Sequence, residues 1–266
     1  MSLLCALPFA ASLFAACAEP APLAVGYVEG EYVLLAPIET AQLLSLDVRR
    51  GEILGFVGAS GSGKSVLLRA ILGLTRRQSG TIHLFGRDID RAREEERLQI
   101  DMRLGVLFQH GALFSAMTVL ENIQVPMREY LGMPQRLMDE LAMLKIELVG
   151  LAPDAARKYP SELSGGMIQR VALCRAFLYP ADILLLDEPF KGQDTRLKEE
   201  LYETFFRSYE NDSMRRTVLF VTHDISEALR LSDAIYVLSG RPAGIAGKFE
   251  RREFDEDTEN KIKALI

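Results

Sequence analysis

Cysteine is scarce, with three residues in a chain of 266: Cys5, Cys17 and Cys174. An odd number cannot all pair, and no zinc-type or dithiol spacing occurs, so neither a disulfide framework nor a cysteine-based metal or redox site is expected. Cys174 falls in a helical run and reads as a small apolar residue in reducing surroundings. No apolar stretch reaches the ~18 residues needed to span a bilayer. Residues 1–18 come nearest. Their apolar run ends in Ala15-Ala16-Cys17, like a secretory signal with a lipoprotein processing site, yet no Lys or Arg precedes it. An excess of positive charge is also missing. The formal net charge is −6, which argues against a nucleic-acid partner. Internal repeats and low-complexity linkers are absent. What remains is ordinary for a globular chain: 48% hydrophobic and 26% charged residues, enough for one large α/β domain with a real core.

Apolar, β-branched runs alternate with helical patterns. Residues 53–57, 80–85, 104–108, 183–186, 217–221 and 234–238 read as strands, and 65–72, 134–149, 165–178, 196–209 and 226–231 as helices. Continuous apolar strands separated by helices imply an α/β fold with a largely parallel sheet flanked by helices. Residues 110–163 read as a mostly helical subdomain. The charged run 87–97 reads as a solvated loop and short helix, and 249–266 as a charged tail that frays.

The stretch Gly58-Ala59-Ser60-Gly61-Ser62-Gly63-Lys64-Ser65 fits G-x-x-x-x-G-K-[ST]. A strand-like run precedes it, and a helix opening at Val66 follows. That context is the one a phosphate loop requires. Glycines let the backbone wrap a polyphosphate, and the helix N-terminus favours anions. Lys64 can reach the β- and γ-phosphates, and the Ser65 hydroxyl can ligate Mg²⁺.

About 120 residues on, Ile183-Leu184-Leu185-Leu186 runs into Asp187-Glu188. A buried strand ending there places Asp187 where open α/β sheets bind ligands. Asp187 can hold Mg²⁺, and Glu188 can orient or deprotonate a water.

Leu163-Ser164-Gly165-Gly166-Met167 then precedes a helix carrying Arg170-Val171-Ala172-Leu173-Cys174-Arg175-Ala176. With it the chain resembles the ATP-binding cassette (ABC) ATPases, whose signature is usually Leu-Ser-Gly-Gly-Gln. The order of parts agrees from about residue 53 to 239: phosphate loop, Gln109, signature, acidic strand end, Asp194, His223. The resemblance implies an ABC-type P-loop fold with a helical subdomain and a small antiparallel N-terminal sheet. It implies ATP hydrolysis with Mg²⁺, Ser65, Gln109 and Asp187 being the metal set. Residues Gly58 to Val66 would hold phosphates, Glu188 would be the catalytic carboxylate, and His223 would contact the γ-phosphate. Ser164, Gly165 and Gly166 would bind the ATP of a second cassette in a head-to-tail homodimer, with Asp194 at that interface. Gln109 would relay nucleotide state to a transmembrane permease subunit, at the cytoplasmic face of the inner membrane.

Met167 in the signature, and Pro189-Phe190-Lys191-Gly192-Gln193-Asp194 after the acidic strand, look like the cassettes of bacterial phospholipid-trafficking (Mla-type) systems. Asp224-Ile225-Ser226-Glu227-Ala228 and residues 237–242 look more like nitrate/sulfonate/taurine-type importers. Phospholipid is therefore the first substrate expected and a small anion the second. A non-transport ABC ATPase, an inactive ATP-binding regulator and an exported module are the alternatives. Residues 26–37 resemble the start of a membrane-fusion (adaptor) protein, so the chain reads as a leader over 1–24, a cassette domain over 25–248 and the tail. The aromatic expected to stack on adenine is Tyr32, with Tyr27 second; Tyr32 can equally be a strand residue.

Overall fold

The computed structural model describes residues 41–42, 46, 48–76, 80–109, 111–178, 180–210, 216–240 and 243–266. Its frame is a seven-stranded sheet in the order β1-β9-β8-β2-β7-β6-β5. The strands are β1 (Ala41–Gln42), β2 (Ile53–Gly58), β5 (Leu104–Leu107), β6 (Ile183–Asp187), β7 (Thr217–Thr222), β8 (Ala234–Ser239) and β9 (Ala243–Glu250). Neighbours run parallel except β8 and β9, which are antiparallel with a bulge between Val237 and Leu238. A second, two-stranded sheet pairs β3 (His83–Leu84) antiparallel with β4 (Arg87–Asp88).

Period-two alternation sends side chains of each central strand to two separate cores. Ile53, Val57, Leu184, Leu186, Val218, Phe220, Ile235 and Val237 join one. Leu54, Phe56, Ile183, Leu185, Leu219, Val221, Tyr236 and Leu238 join the other. Both faces are therefore covered, which is why the strands read as unbroken apolar runs. Gly55 has no room for a side chain, because a Cβ would collide with Ser232 Oγ and crowd the Phe220 ring.

Helix α1 (Lys64–Ile71) follows the 59–63 loop and packs on the second core, and α2 (Glu94–Asp101) precedes β5. The helical segment after β5 holds α3 (Val119–Tyr130), α4 (Gln135–Leu148) and α5 (Gly165–Leu178). Thr118 and Glu121 form a capping box at the start of α3. Asn122, wholly buried, bonds Phe114 and Met117 and so shapes the turn before that cap. Helices α6 (Thr195–Glu210) and α7 (Ile225–Leu231) flank β7.

Two expectations change. The strand expected over 80–85 is shorter, because Phe85 and Gly86 adopt positive φ (53° and 74°) and turn the chain into β4. The charged tail does not fray. It completes β9 and ends in α8 (Thr258–Leu265), whose Thr258 and Ile262 are buried against the body while its charges face outward. The N-terminal antiparallel strands expected ahead of β2 fall largely outside the described residues; of that stretch only the short β1 (Ala41–Gln42) is described, and it runs parallel to β9.

Candidate functional site

Strands β2, β6 and β7 are adjacent and parallel, so their C-terminal ends open on one edge of the sheet. Val57 pairs with Thr222, and Asp187 with Val221. The loops beginning at Ala59, Glu188 and His223 consequently converge where such sheets bind ligands.

In the first loop, Gly61 and Gly63 take positive φ (82° and 84°), which a side chain resists. Gly58 lies so close to Leu238 O and Ser62 Oγ that no Cβ fits. The Lys64 ammonium donates to Gly58 O (2.7 Å) and Ala59 O (2.8 Å), inside the curve of its own loop. Burial pulls its pKa below the usual value, against the pull of Glu188 and Asp187. A buried cation with acidic residues at one side, in a glycine-shaped loop ahead of a helix, is suited to phosphate oxygens.

The Ser65 hydroxyl donates to Asp187 Oδ1 at 3.0 Å. Burial pushes the Asp187 carboxyl up, with the Ser65 hydrogen bond and the nearby Gln109 backbone opposing. A hydroxyl and a carboxylate side by side are hard oxygen donors fit for Mg²⁺. Among the described residues, no cluster of three or more His, Cys, Asp or Glu could hold a metal alone. A cation here would therefore rely on phosphate oxygens to complete its shell, as Mg²⁺ on nucleotides does.

Glu188 closes β6 and is 8% exposed. Its φ of 52° is unusual for a residue with a side chain and costs about 1–2 kcal/mol. The strained backbone is fixed from two sides. Its N–H donates to Val221 O (2.9 Å) across the sheet, and Gln169 Nε2 donates to its carbonyl (2.9 Å) and that of Pro189 (3.3 Å). Glu188 Oε2 accepts from His223 Nδ1 at 2.6 Å, an assignment that puts the proton on Nδ1 of the imidazole.

The expected residues thus fall into two groups. Gly58 to Ser65, Gln109, Asp187, Glu188 and His223 gather at the sheet edge. Ser164, Gly165 and Gly166 stand apart: among the described residues no hydrogen bond or ion pair joins them to the 58–65 loop. Ser164 caps α5, its Oγ accepting from Met167 N (3.3 Å), and Ser164 and Gly165 are exposed. Gly166 O accepts from Gln193 Nε2 (3.1 Å), tying the signature to the loop after Glu188. Asp194 is exposed and caps α6 through Leu197 N (3.0 Å). Tyr32 and Tyr27 lie outside the described residues. Sequence reasoning missed Gln169. Its signal was a polar side chain on the buried side of an apolar helix, where it reaches carbonyls 19 and 20 residues away.

The sequence model described as ABC transporter matches residues 41–191. The chain belongs to the ABC transporter family. It is an ATP-hydrolysing cassette of that family, with the P-loop ABC ATPase fold. The chain is 36% identical over 208 residues to the intermembrane phospholipid transport ATP-binding protein MlaF of Haemophilus influenzae, covering 78% of each. It is 42% identical over 214 residues to the sulfate/thiosulfate import ATP-binding protein CysA of Vibrio cholerae, covering 79% of this chain and 53% of that protein. It thus spans about half of the sulfate-importer subunit. A dimeric ATP-binding cassette in a post-hydrolysis state, bound to ADP and Pi, superposes with a TM-score of 0.76 at 26% identity. The match covers 84% of this cassette and all of that one. Among the described residues no helix is long and apolar enough to cross a membrane.

Proposed function

We propose that this cassette hydrolyses MgATP at the 58–65, 187–188 and 223 edge, as a homodimer, to drive phospholipid transport through a separate permease subunit. The observation that carries the reading is the convergence of Lys64, the Ser65–Asp187 pair and the Glu188–His223 pair on one sheet edge.

MgATP bound there supplies the anhydride whose cleavage releases the energy. The backbone N–H groups of the 58–65 loop and the Lys64 ammonium bind phosphate oxygens, with Val66 in the first turn of the helix behind them. Ser65 and Asp187 would hold the cation, with Gln109 beside them. Glu188 Oε2 is engaged by His223, so Oε1 is the atom that orients a water and accepts its proton. His223 keeps that carboxylate in place and presents its other nitrogen to the γ-phosphate side. Positioning and charge carry the catalysis, with little covalent chemistry by the protein. The exposed, capped N-terminus of α5, at Ser164, Gly165 and Gly166, meets the ATP of a second copy, and Asp194 meets the facing subunit.

Gln109 and the following segment, where Phe114 is 51% exposed, contact the permease at the cytoplasmic face of the inner membrane. Residues 25–248 form the cassette domain, with 110–163 as its helical part. Phospholipid is favoured because the match to the phospholipid-system protein covers equal shares of both chains. A small-anion importer is the second reading, supported by the 42% identity to the sulfate-importer subunit.

The test is phosphate release by the purified chain with MgATP, with excess EDTA, and with Lys64→Ala. Metal-dependent turnover lost in Lys64→Ala is expected; equal release by both proteins overturns the reading. For the substrate, the complex with its permease is given labelled phospholipid or sulfate. ATP-dependent movement of the lipid alone is expected.

A further inference from the structure

A second charged cluster lies behind the site, between α6 and the loop that carries His223. Lys198 stands one helical turn beyond Asp194, its N–H bonded to Asp194 O (2.9 Å). Its ammonium donates to Asp224 Oδ2 (2.5 Å) and Glu227 Oε2 (3.1 Å), and lies 5.7 Å from the centroid of the Tyr202 ring. Asp224 Oδ1 accepts from Ser226 Oγ (2.5 Å) and from Glu227 N (3.1 Å), so the same carboxylate caps α7. Asp224 is the residue after His223, and its own N–H donates to Thr222 Oγ1 (3.1 Å).

The His223 side chain is 58% exposed, and the one hydrogen bond or ion pair it makes among the described residues is to Glu188. Packing therefore does little to hold the imidazole; the anchoring of its neighbour does more. Glu227, 3% exposed, has one oxygen on Lys198 and the other, Oε1, without a hydrogen-bond partner among the described residues. A carboxylate buried this far is retained at a cost in stability, which packing alone would not favour.

We propose that Lys198 is a positioning residue for the His223–Glu188 pair, clamping the start of α6 to Asp224 and thereby fixing where His223 stands. The clamp joins the exposed Asp194 end of α6, expected at the dimer face, to the catalytic carboxylate. Closure of the dimer against Asp194 would thus be felt at His223. This rests on the roles of Glu188 and His223 given above.

The experiment compares Lys198→Met and Lys198→Arg in the full chain. Turnover, MgATP affinity and melting temperature are measured, together with the imidazole resonances of ¹⁵N-histidine-labelled protein. The chain has three histidines, so His223 is assigned by its absence in one variant. Lys198→Met should lower kcat about 10–100-fold with MgATP affinity unchanged, and should shift the His223 imidazole signals. Lys198→Arg, which keeps a cation able to bridge two carboxylates, should recover most of the turnover and the parent signals. Parent-like kcat and unmoved His223 signals in Lys198→Met overturn the proposal. So does a fall shared equally by both variants that follows melting temperature alone. Should the parent itself hydrolyse no ATP, the reading of the site fails, and the imidazole signals still decide the role of Lys198.

Discussion

Glu227 gives the chain a stability that falls as pH rises through the neutral range. Burial pushes its carboxyl from the usual 4.5 up to about 7, with Lys198 opposing. A folded-state pKa above the unfolded one means that the native state holds the proton more tightly. The contribution is complete below pH 4.5 and is lost as pH climbs through 7. At ~1.4 kcal/mol per pH unit, the full rise corresponds to about 3 kcal/mol. Burial moves Asp187 in the same direction, so the parent alone does not isolate the effect. Asp224, held down at about 2 by Lys198 and Ser226 against burial, changes charge only in strong acid, outside this window. The perturbation is Glu227→Gln, which keeps shape and the acceptor for Lys198 but cannot ionise. The assay is urea and thermal unfolding of both proteins at pH 5, 6, 7 and 8. The parent should lose about 2–3 kcal/mol more than the variant between pH 5 and 8, roughly 5–10 °C in melting temperature for a chain of this size. Parallel curves, or a parent that gains on the variant as pH rises, would refute the reasoning.

Three further outcomes follow from the same geometry. Gly58→Ala should lower stability by about 1–3 kcal/mol, because its Cβ meets the backbone carbonyl of Leu238 and Ser62 Oγ at 2.7 Å; melting temperature and fluorescent-ATP titration should both fall, and an unchanged titration contradicts the placement of the loop. Gln169→Leu leaves the Pro189 carbonyl without its side-chain donor and the Glu188 carbonyl with Lys191 N–H alone, at about 1–3 kcal/mol, and turnover should drop further than melting temperature explains; a variant with parent-like turnover denies Gln169 any part in placing Glu188. Cys174 is buried, its Sγ donates to Lys145 O at 3.2 Å, and burial raises its pKa to about 12. Its peptide should therefore remain unalkylated by iodoacetamide at pH 8 until urea unfolds the chain, as read by mass spectrometry.

Much of this architecture was legible in the sequence because its signals are local. The runs 183–186 and 218–221 are apolar at every position since both faces of β6 and β7 are buried. The phosphate loop, the acidic strand end and the signature are contiguous strings whose spacing is set by backbone geometry. Strand β9 escaped notice because Gly244 and Gly247 interrupt its pattern, and its place depends on antiparallel pairing with β8 across a bulge. Helix α8 escaped because two buried positions four residues apart, Thr258 and Ile262, anchor an otherwise charged segment. Gln169, Lys198 and Glu227 stayed hidden for a different reason. Each is a single polar residue in a helix, indistinguishable in sequence from a solvated position, and each acquires its partners only when distant elements meet. Tyr32, read from spacing alone, falls outside the described residues.

The central claim is that Glu188, held in a left-handed turn and bonded to His223, is the group that activates water on ATP. It is tested most directly by steady-state phosphate release from the parent and from Glu188→Gln, with the size of each followed by light scattering with and without MgATP. The account predicts turnover in the parent, loss of turnover in Glu188→Gln with ATP still bound, and an ATP-dependent dimer that persists in the variant. Turnover in Glu188→Gln equal to that of the parent would contradict it.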